Sequence, residues 1–160
     1  MGKKITQHIS LTLLDIHELD EKEIELVNKA KNAMNSAYAP YSNFKVGAAI
    51  LLENEEILTA NNQENASFPV GICAERLLLG YAHANFPKLK PLKIAIIAQK
   101  KGSDKFATVS PCGLCRQTIN EYELKFKTDI QILMYTPNDQ ILKADNISQL
   151  LPFKFNDLNS

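Results

Sequence analysis

The sequence lacks long apolar runs and a surplus of charge of either sign. No hydrophobic stretch approaches the roughly 20 residues that a membrane-spanning helix needs. The first residues also lack the apolar core of a signal peptide, because charged and polar residues interrupt them. Lys plus Arg and Asp plus Glu number 18 each, whereas a protein that holds nucleic acid or an anionic membrane usually carries a basic surplus. We therefore expect a cytoplasmic protein that binds neither and acts on a small uncharged substrate.

Cysteine is also scarce. The chain has three cysteines, and an odd number argues against a closed disulfide framework. Internal repeats, low-complexity tracts and linkers are absent as well, and 160 residues are enough for one domain with a sizeable core.

Hydrophobic periodicity predicts the element order α-β-β-α-β-α-β-β. Apolar residues recur at helical spacing from Glu21, Asp20 is a plausible N-cap with Glu23 three residues on, and this helix must end before Pro40. The other predicted elements are strands at residues 44–52, 57–60, 92–98, 130–135 and 140–142, helices at 73–83 and 113–122, and a possible short strand around 9–14. This order predicts an α/β fold, a three-layer α-β-α sandwich with a mixed five-stranded sheet.

All three cysteines lie in two short motifs, C-A-E at residues 73–75 and P-C-G-L-C at 111–115. The C-x-x-C spacing by itself fits a zinc site, a redox pair or a surface accident. Cys73 adds a third soft ligand, and each motif begins a predicted helix, where the helix dipole favours thiolate. Three thiolates leave one position of a tetrahedral zinc open, which is typical of a catalytic site rather than a structural one.

Glu75 follows Cys73 by two residues and could move the proton of a water acidified by the zinc. Zinc deaminases of nucleobases use this arrangement, including a three-cysteine variant. Glu75 could instead be an ordinary acid at a helix start, and the cysteines a small buried cluster. Zinc with three thiolates carries a net charge of −1, which Arg76 or Arg116 could offset by about 4 kcal/mol at 4 Å and an effective dielectric constant near 20. Either arginine could instead form a surface ion pair.

The sequence strongly resembles the cytidine deaminase family, in its small, homotetrameric, three-cysteine zinc branch. The resemblance runs from about Asp20 to Phe155 and leaves residues 1–19 as an N-terminal extension before a catalytic domain at 20–160. Its motifs are A-Y-A-P-Y-S-N-F-K-V-G-A-A at 37–49, N-Q-E-N-A-S at 62–67, G-I-C-A-E-R at 71–76, S-P-C-G-L-C-R-Q at 110–117 and L-L-P-F-K-F at 150–155.

The resemblance implies hydrolytic deamination of free cytidine and 2′-deoxycytidine in pyrimidine salvage, with one zinc per subunit. Asn62 and Glu64 would then bind the ribose, and Phe44 would contact the base. Backbone groups near Ala74 and Ser110 would address the ring nitrogen and the departing ammonia.

The resemblance also implies the metal ligands Cys73, Cys112 and Cys115 and the catalytic residue Glu75. Arg76 would bond to the zinc thiolates and neutralise them. Phe155 would stack on a base in a neighbouring subunit of the homotetramer, so that sites are shared between subunits. Simple core packing is the alternative for Phe44 and Phe155.

The sequence departs from the family pattern at two places. Gln63 stands where the family usually has an apolar residue. The family's Gly-Pro after Phe155 is absent, and Asn156 and Asp157 replace it.

The sequence leaves several alternative functions open. Deaminases of blasticidin S, a related cytosine nucleoside, share the tetramer and the three cysteines but lack the N-x-E-N loop. Polynucleotide and deoxycytidylate deaminases usually place histidine where this chain has Cys73. A redox protein built on the C-x-x-C pair would need neither Cys73 nor Glu75. A structural zinc module would want a fourth protein ligand, and His8, His17 and His83 lie in no recognisable motif.

Overall fold

The fold, taken from a computed structural model, is described over residues 2–156. It comprises β1 (Thr12–Asp15), α1 (Glu21–Met34), β2 (Phe44–Leu52), β3 (Ile57–Asn61), α2 (Ala74–Asn85), β4 (Pro91–Lys100), β5 (Phe106–Ala107), α3 (Gly113–Phe126), β6 (Gln131–Tyr135) and β7 (Gln140–Ala144). Asp157 lies outside the described residues. No helix within 2–156 has the length and apolarity to cross a membrane.

The first helix begins where its capping signals predict. Asp20 accepts a hydrogen bond from the backbone N–H of Glu23 at 2.7 Å, and the Glu23 carboxylate accepts one from the backbone N–H of Asp20 at 3.2 Å. Two backbone donors at the start of the helix are thereby satisfied. Glu23 is buried and also pairs with Lys93 of β4 at 2.7 Å, so α1 is fixed to the centre of the sheet.

Helices pack on both faces of the sheet. Along the main path its strand order is β1-β7-β6-β4-β2-β3, with β4 and β6 parallel and the other neighbours antiparallel. Because side chains alternate across a strand, Ala48, Ile50 and Ile96 pack with α2 and α3, whereas Ala49 and Ala95 pack with α1. The predicted three-layer α-β-α class is confirmed.

The predicted number of strands, five, is wrong, since the sheet within residues 2–156 has seven. β5 has two residues and pairs with β4, which is too short to give a periodic signal. β1 pairs with β7 at the sheet edge, in the region where a short strand was possible. The domain division at residue 20 stays a prediction. β1 precedes that boundary and pairs with β7 of the same sheet.

Close packing of α1 on β2 depends on Gly47. A Cβ at this position would lie 2.1 Å from the carbonyl oxygen of Ala30 and 2.6 Å from the backbone nitrogen of Met34. On the opposite face, α2 and α3 begin beside one another, which brings the two cysteine motifs together.

Candidate active site

The three cysteines form a compact triangle at the start of two helices. Cys73 and Cys112 are the N-cap residues of α2 and α3, and Cys115 is buried in the first turn of α3. Cys112 Sγ lies 3.9 Å from Cys73 Sγ and 3.5 Å from Cys115 Sγ, and all three sulfurs lie within 4.8 Å of one another. A tetrahedral zinc with Zn–S bonds of about 2.3 Å requires S···S distances of about 3.8 Å. The triangle therefore fits zinc.

The surroundings of the triangle favour the thiolate form of Cys73 and the thiol form of Cys115. The neighbouring Cys115 thiol, which can donate to a Cys73 thiolate, is the main cause that lowers the pKa of Cys73 to about 6, and the charge of Arg76 adds to this. The same contact raises the pKa of Cys115, as do burial and the charge of Glu75. A bound divalent cation would favour thiolate at all three positions.

Glu75 lies in the first turn of α2 and is 4% exposed. Burial raises the pKa of its carboxyl above the ordinary value, because the charged form loses hydration; contacts with its own backbone N–H and with Cys115 offset this in part. A carboxyl with a raised pKa can hold and release a proton nearer neutral pH. Glu75 lines a cleft of about 290 Å³ together with Cys73 and Cys112.

The loop between β3 and α2 brings a second set of polar residues to this cleft. Gln63 and Ile72 exchange backbone hydrogen bonds of 3.0 and 2.9 Å, and these close the loop at its base. Glu64 follows immediately, and its backbone N–H donates to the carbonyl oxygen of Tyr38 at 2.8 Å. Asn62, Glu64 and the cysteine at the start of α2 consequently line one cleft.

The Glu64 carboxylate is held by the segment before β2. It accepts hydrogen bonds from the backbone N–H of Tyr41 at 2.9 Å, the backbone N–H of Ser42 at 3.3 Å and the Ser42 hydroxyl. These contacts, with the hydroxyl first, lower the pKa of Glu64, although desolvation opposes them in part. A carboxylate offers about four lone-pair positions, so one remains for a ligand hydroxyl.

Asn62 and Phe44 are connected through the backbone of β2. The Asn62 side chain accepts from the N–H of Val46 at 2.8 Å and donates to the carbonyl oxygen of Phe44 at 3.0 Å. Asn62 lines the cleft, and one of its two N–H donors has no partner within residues 2–156 and can bind a ligand. Phe44 is half-buried and is not among the described residues that line the cleft, so its contact with a base stays a prediction.

Ser110 lines the cleft directly before the second cysteine motif, and Ala74 is fully buried at the start of α2. Arg76 is half-buried and, within residues 2–156, forms no ion pair with a carboxylate. The assigned roles of these three residues stay predictions.

Phe155 lies apart from the cleft of its own chain. Its side chain is 63% exposed and lines a separate groove beside α3 with Gln117 and Lys125. Its backbone carbonyl accepts hydrogen bonds from Gln117 at 2.8 Å and Asn120 at 3.4 Å. Core packing, the alternative for this residue, is therefore wrong.

Sequence reasoning assigned no role to Tyr41 and Ser42, although both lie in the quoted motif at 37–49. With Phe68 they line a hollow of about 370 Å³ that shares Glu64 with the cleft. The Tyr41 and Phe68 rings are in edge-to-face contact, with centroids 5.7 Å apart. The resemblance of this motif to the family was the available signal, but it does not reveal which groups hold Glu64.

Comparison with known proteins agrees with this geometry. A family model described as the cytidine and deoxycytidylate deaminase zinc-binding region matches residues 20–128. This match spans both cysteine motifs and Glu75.

Two relatives match over most of their lengths. The chain is 33% identical to a probable cytidine deaminase of Dictyostelium discoideum, covering 86% of each chain, and 34% identical to the cytidine deaminase of Halalkalibacterium halodurans, covering 81% of this chain and 91% of the relative. Its structure is similar to that of the cytidine deaminase from Burkholderia pseudomallei, with a TM-score of 0.70 and 32% identity over 82% of this chain and 98% of the other. The chain is thus an enzyme of the cytidine and deoxycytidylate deaminase family.

Proposed function

We propose that the chain catalyses the zinc-dependent hydrolytic deamination of free cytidine and 2′-deoxycytidine to uridine and 2′-deoxyuridine, with release of ammonia, as a step of pyrimidine salvage. The observation that carries this proposal is the single cleft that Glu75, Cys73 and Cys112 line together with Asn62 and Glu64. The names of the curated relatives support the same reaction.

Cys73, Cys112 and Cys115 would hold one zinc ion per subunit. When bound, zinc lowers the pKa of water and so makes a nucleophile available at neutral pH. Glu75 would receive the proton of that water and deliver it to the ring nitrogen. Its burial suits this work, because a raised pKa lets one carboxyl both accept and return a proton.

The two carboxyl groups of the cleft lie in environments that separate their roles. Burial raises the pKa of Glu75, whereas the Ser42 hydroxyl and two backbone N–H groups lower the pKa of Glu64. Such a separation distinguishes a proton carrier from a permanently charged acceptor. Glu64 would accept a hydrogen bond from a ribose hydroxyl, and Asn62 would donate one.

The charges of the cleft favour a nucleoside over a nucleotide. None of the described residues that line the cleft or the adjoining hollow is lysine or arginine, and Glu64 lies in both. A phosphate on the sugar would bring two negative charges near Glu64 without a cation to receive them. We therefore propose a small-molecule nucleoside substrate and no nucleic-acid partner.

The exposed side chain of Phe155 supports a homotetramer with shared sites. Gln117 and Asn120 hold the Phe155 backbone while its ring remains exposed. In a tetramer this ring would stack on a base bound by a neighbouring subunit. We further propose a cytoplasmic location, where the three thiols stay reduced, and a catalytic domain over residues 20–160.

The function can be tested by removing and restoring the metal. Purified protein should contain zinc, lose activity toward cytidine after chelation and regain it with added zinc, and chromatography should identify uridine as the product. Blasticidin S in a parallel reaction should remain unconverted. Faster conversion of blasticidin S, or full activity after zinc removal, would contradict the proposal.

A further inference from the structure

Arg116 joins two segments that are distant in sequence. It lies in the first turns of α3 and is half-buried. Its Nε donates to the carbonyl oxygen of Pro111 at 2.8 Å, its Nη2 to the hydroxyl of Ser110 at 2.9 Å, and its Nη1 to the carbonyl oxygen of Leu150 at 2.6 Å. Within residues 2–156 it forms no ion pair, so the surface ion pair considered from the sequence is wrong.

Two of these acceptors precede Cys112 directly. Ser110 and Pro111 form the chain that leads into the N-cap of α3, and Ser110 also lines the cleft. Cys112 is exposed, unlike the buried Cys115, so packing around its own side chain does little to fix it. Arg116 forms hydrogen bonds with the two residues directly before it.

The third acceptor belongs to the C-terminal segment. Leu150 is buried, and the chain runs from it to Phe155, whose carbonyl is held by Gln117. The Arg116 guanidinium therefore lies between the segment that carries a cysteine of the triangle and the segment that carries Phe155.

We propose that Arg116 is a positioning residue of the metal centre, which fixes Cys112 in the cysteine triangle by tying residues 110–111 to Leu150. The inference rests on the proposed function where it concerns catalysis, whereas the hydrogen bonds of Arg116 bear on metal binding alone. A guanidinium presents several donors in a rigid planar fork, whereas a lysine ammonium is a point charge on a flexible stem. Lysine would keep the charge and lose the three-way bridge.

Cobalt(II) titration of the full-length protein without substrate tests the inference. Groups that orient metal ligands from outside the coordination shell typically contribute 10–100-fold in metal affinity. We expect Arg116→Lys to weaken cobalt binding about tenfold or more and to shift the thiolate-to-cobalt charge-transfer bands. With saturating zinc, the same variant should lower kcat.

Two variants on the same helix serve as comparisons. Gln117→Ala removes a contact to the C-terminal segment without touching residues 110–111, so it should raise KM and leave cobalt affinity and spectrum unchanged. Thr118→Ala loses only a hydrogen bond to Leu114 within the helix and should match the wild type. If Arg116→Lys does not fold, Ser110→Ala replaces it, since this change deletes one of the three contacts and should weaken cobalt binding several-fold.

The inference would be overturned, whatever the activity, if Arg116→Lys bound cobalt within threefold of the wild-type affinity. If Ser110→Ala must be used instead, a cobalt affinity within twofold of wild type would overturn it. An equal loss of cobalt affinity in Gln117→Ala would also overturn it, because the effect would then come from the C-terminal segment. A wild-type protein that binds cobalt but leaves cytidine unconverted would refute the proposed function without affecting this inference.

Discussion

Replacement of Glu75 by glutamine removes one ionisable proton and almost no volume. The side chain is 4% exposed within the first turn of α2, so an amide of the same shape should remain in place. The sulfur atoms of the three cysteines are not altered. We therefore expect Glu75→Gln to retain its zinc and to lose turnover.

The size of this loss follows from what else lines the cleft. General acid–base catalysis contributes about 10²–10⁴ in rate, or about 2.7–5.5 kcal/mol in activation free energy. Glu64 is the other carboxyl among the described residues of the cleft, and its lowered pKa makes it a poor proton carrier. Because no second group can take over, we expect a loss near the upper end, about 10⁴-fold in kcat.

The assay compares initial rates of cytidine loss by absorbance with zinc content measured on the same samples. Glu21→Gln is a matched control, because Glu21 is exposed on α1, on the opposite face of the sheet. It should retain wild-type activity. A Glu75→Gln protein without zinc, or one with more than about a tenth of wild-type activity, would refute the role assigned to Glu75.

Three further predictions concern the shared site, the charge beside the cysteines and a buried carboxyl that does not line the cleft. Phe155→Ala should raise KM roughly tenfold or more, because base–aromatic stacking is worth about 1–3 kcal/mol. Phe153→Ala removes another exposed ring of the C-terminal segment and should leave KM unchanged. A fully active monomer in sedimentation would contradict the shared site. Arg76→Gln should slow turnover about tenfold and move the acidic limb of the pH–rate profile to higher pH, because a positive charge beside Cys73 is lost; an unchanged profile would exclude this role. Burial raises the pKa of the Glu123 carboxyl, although two backbone N–H groups and the charge of Lys154 partly oppose this. Protonated Glu123 therefore stabilises the folded protein at acidic pH, and this stabilisation is lost as pH rises through the folded-state pKa. Chemical denaturation from pH 4 to 8 should therefore show Glu123→Gln gaining stability relative to wild type as pH rises, and a constant difference would contradict the buried charge.

The central sheet and helices could be predicted because their signals are local. The capping pair at Asp20 and Glu23 marks the start of α1, and continuous apolar runs mark β4 and β6. β5 could not be predicted, because a strand of two residues is defined by its pairing with β4 and not by its own pattern.

The cysteine triangle was also predictable, since its three cysteines and Glu75 lie within two short motifs. The contacts that organise the site were not. Ser42 reaches Glu64 across 22 residues, and Arg116 reaches Leu150 across 34. A backbone carbonyl as acceptor leaves no mark on the sequence, so the role of Arg116 emerges only when the fold places these segments together.

The most direct test of the proposed function compares cytidine with cytidine monophosphate at equal concentrations. Glu64 and the absence of lysine or arginine among the described cleft residues both oppose a phosphate on the sugar. We predict rapid conversion of cytidine to uridine by the zinc-loaded enzyme, and conversion of the monophosphate at least about a hundredfold slower. Comparable initial rates on the two substrates would contradict the assignment of Glu64 and identify the enzyme as a nucleotide deaminase.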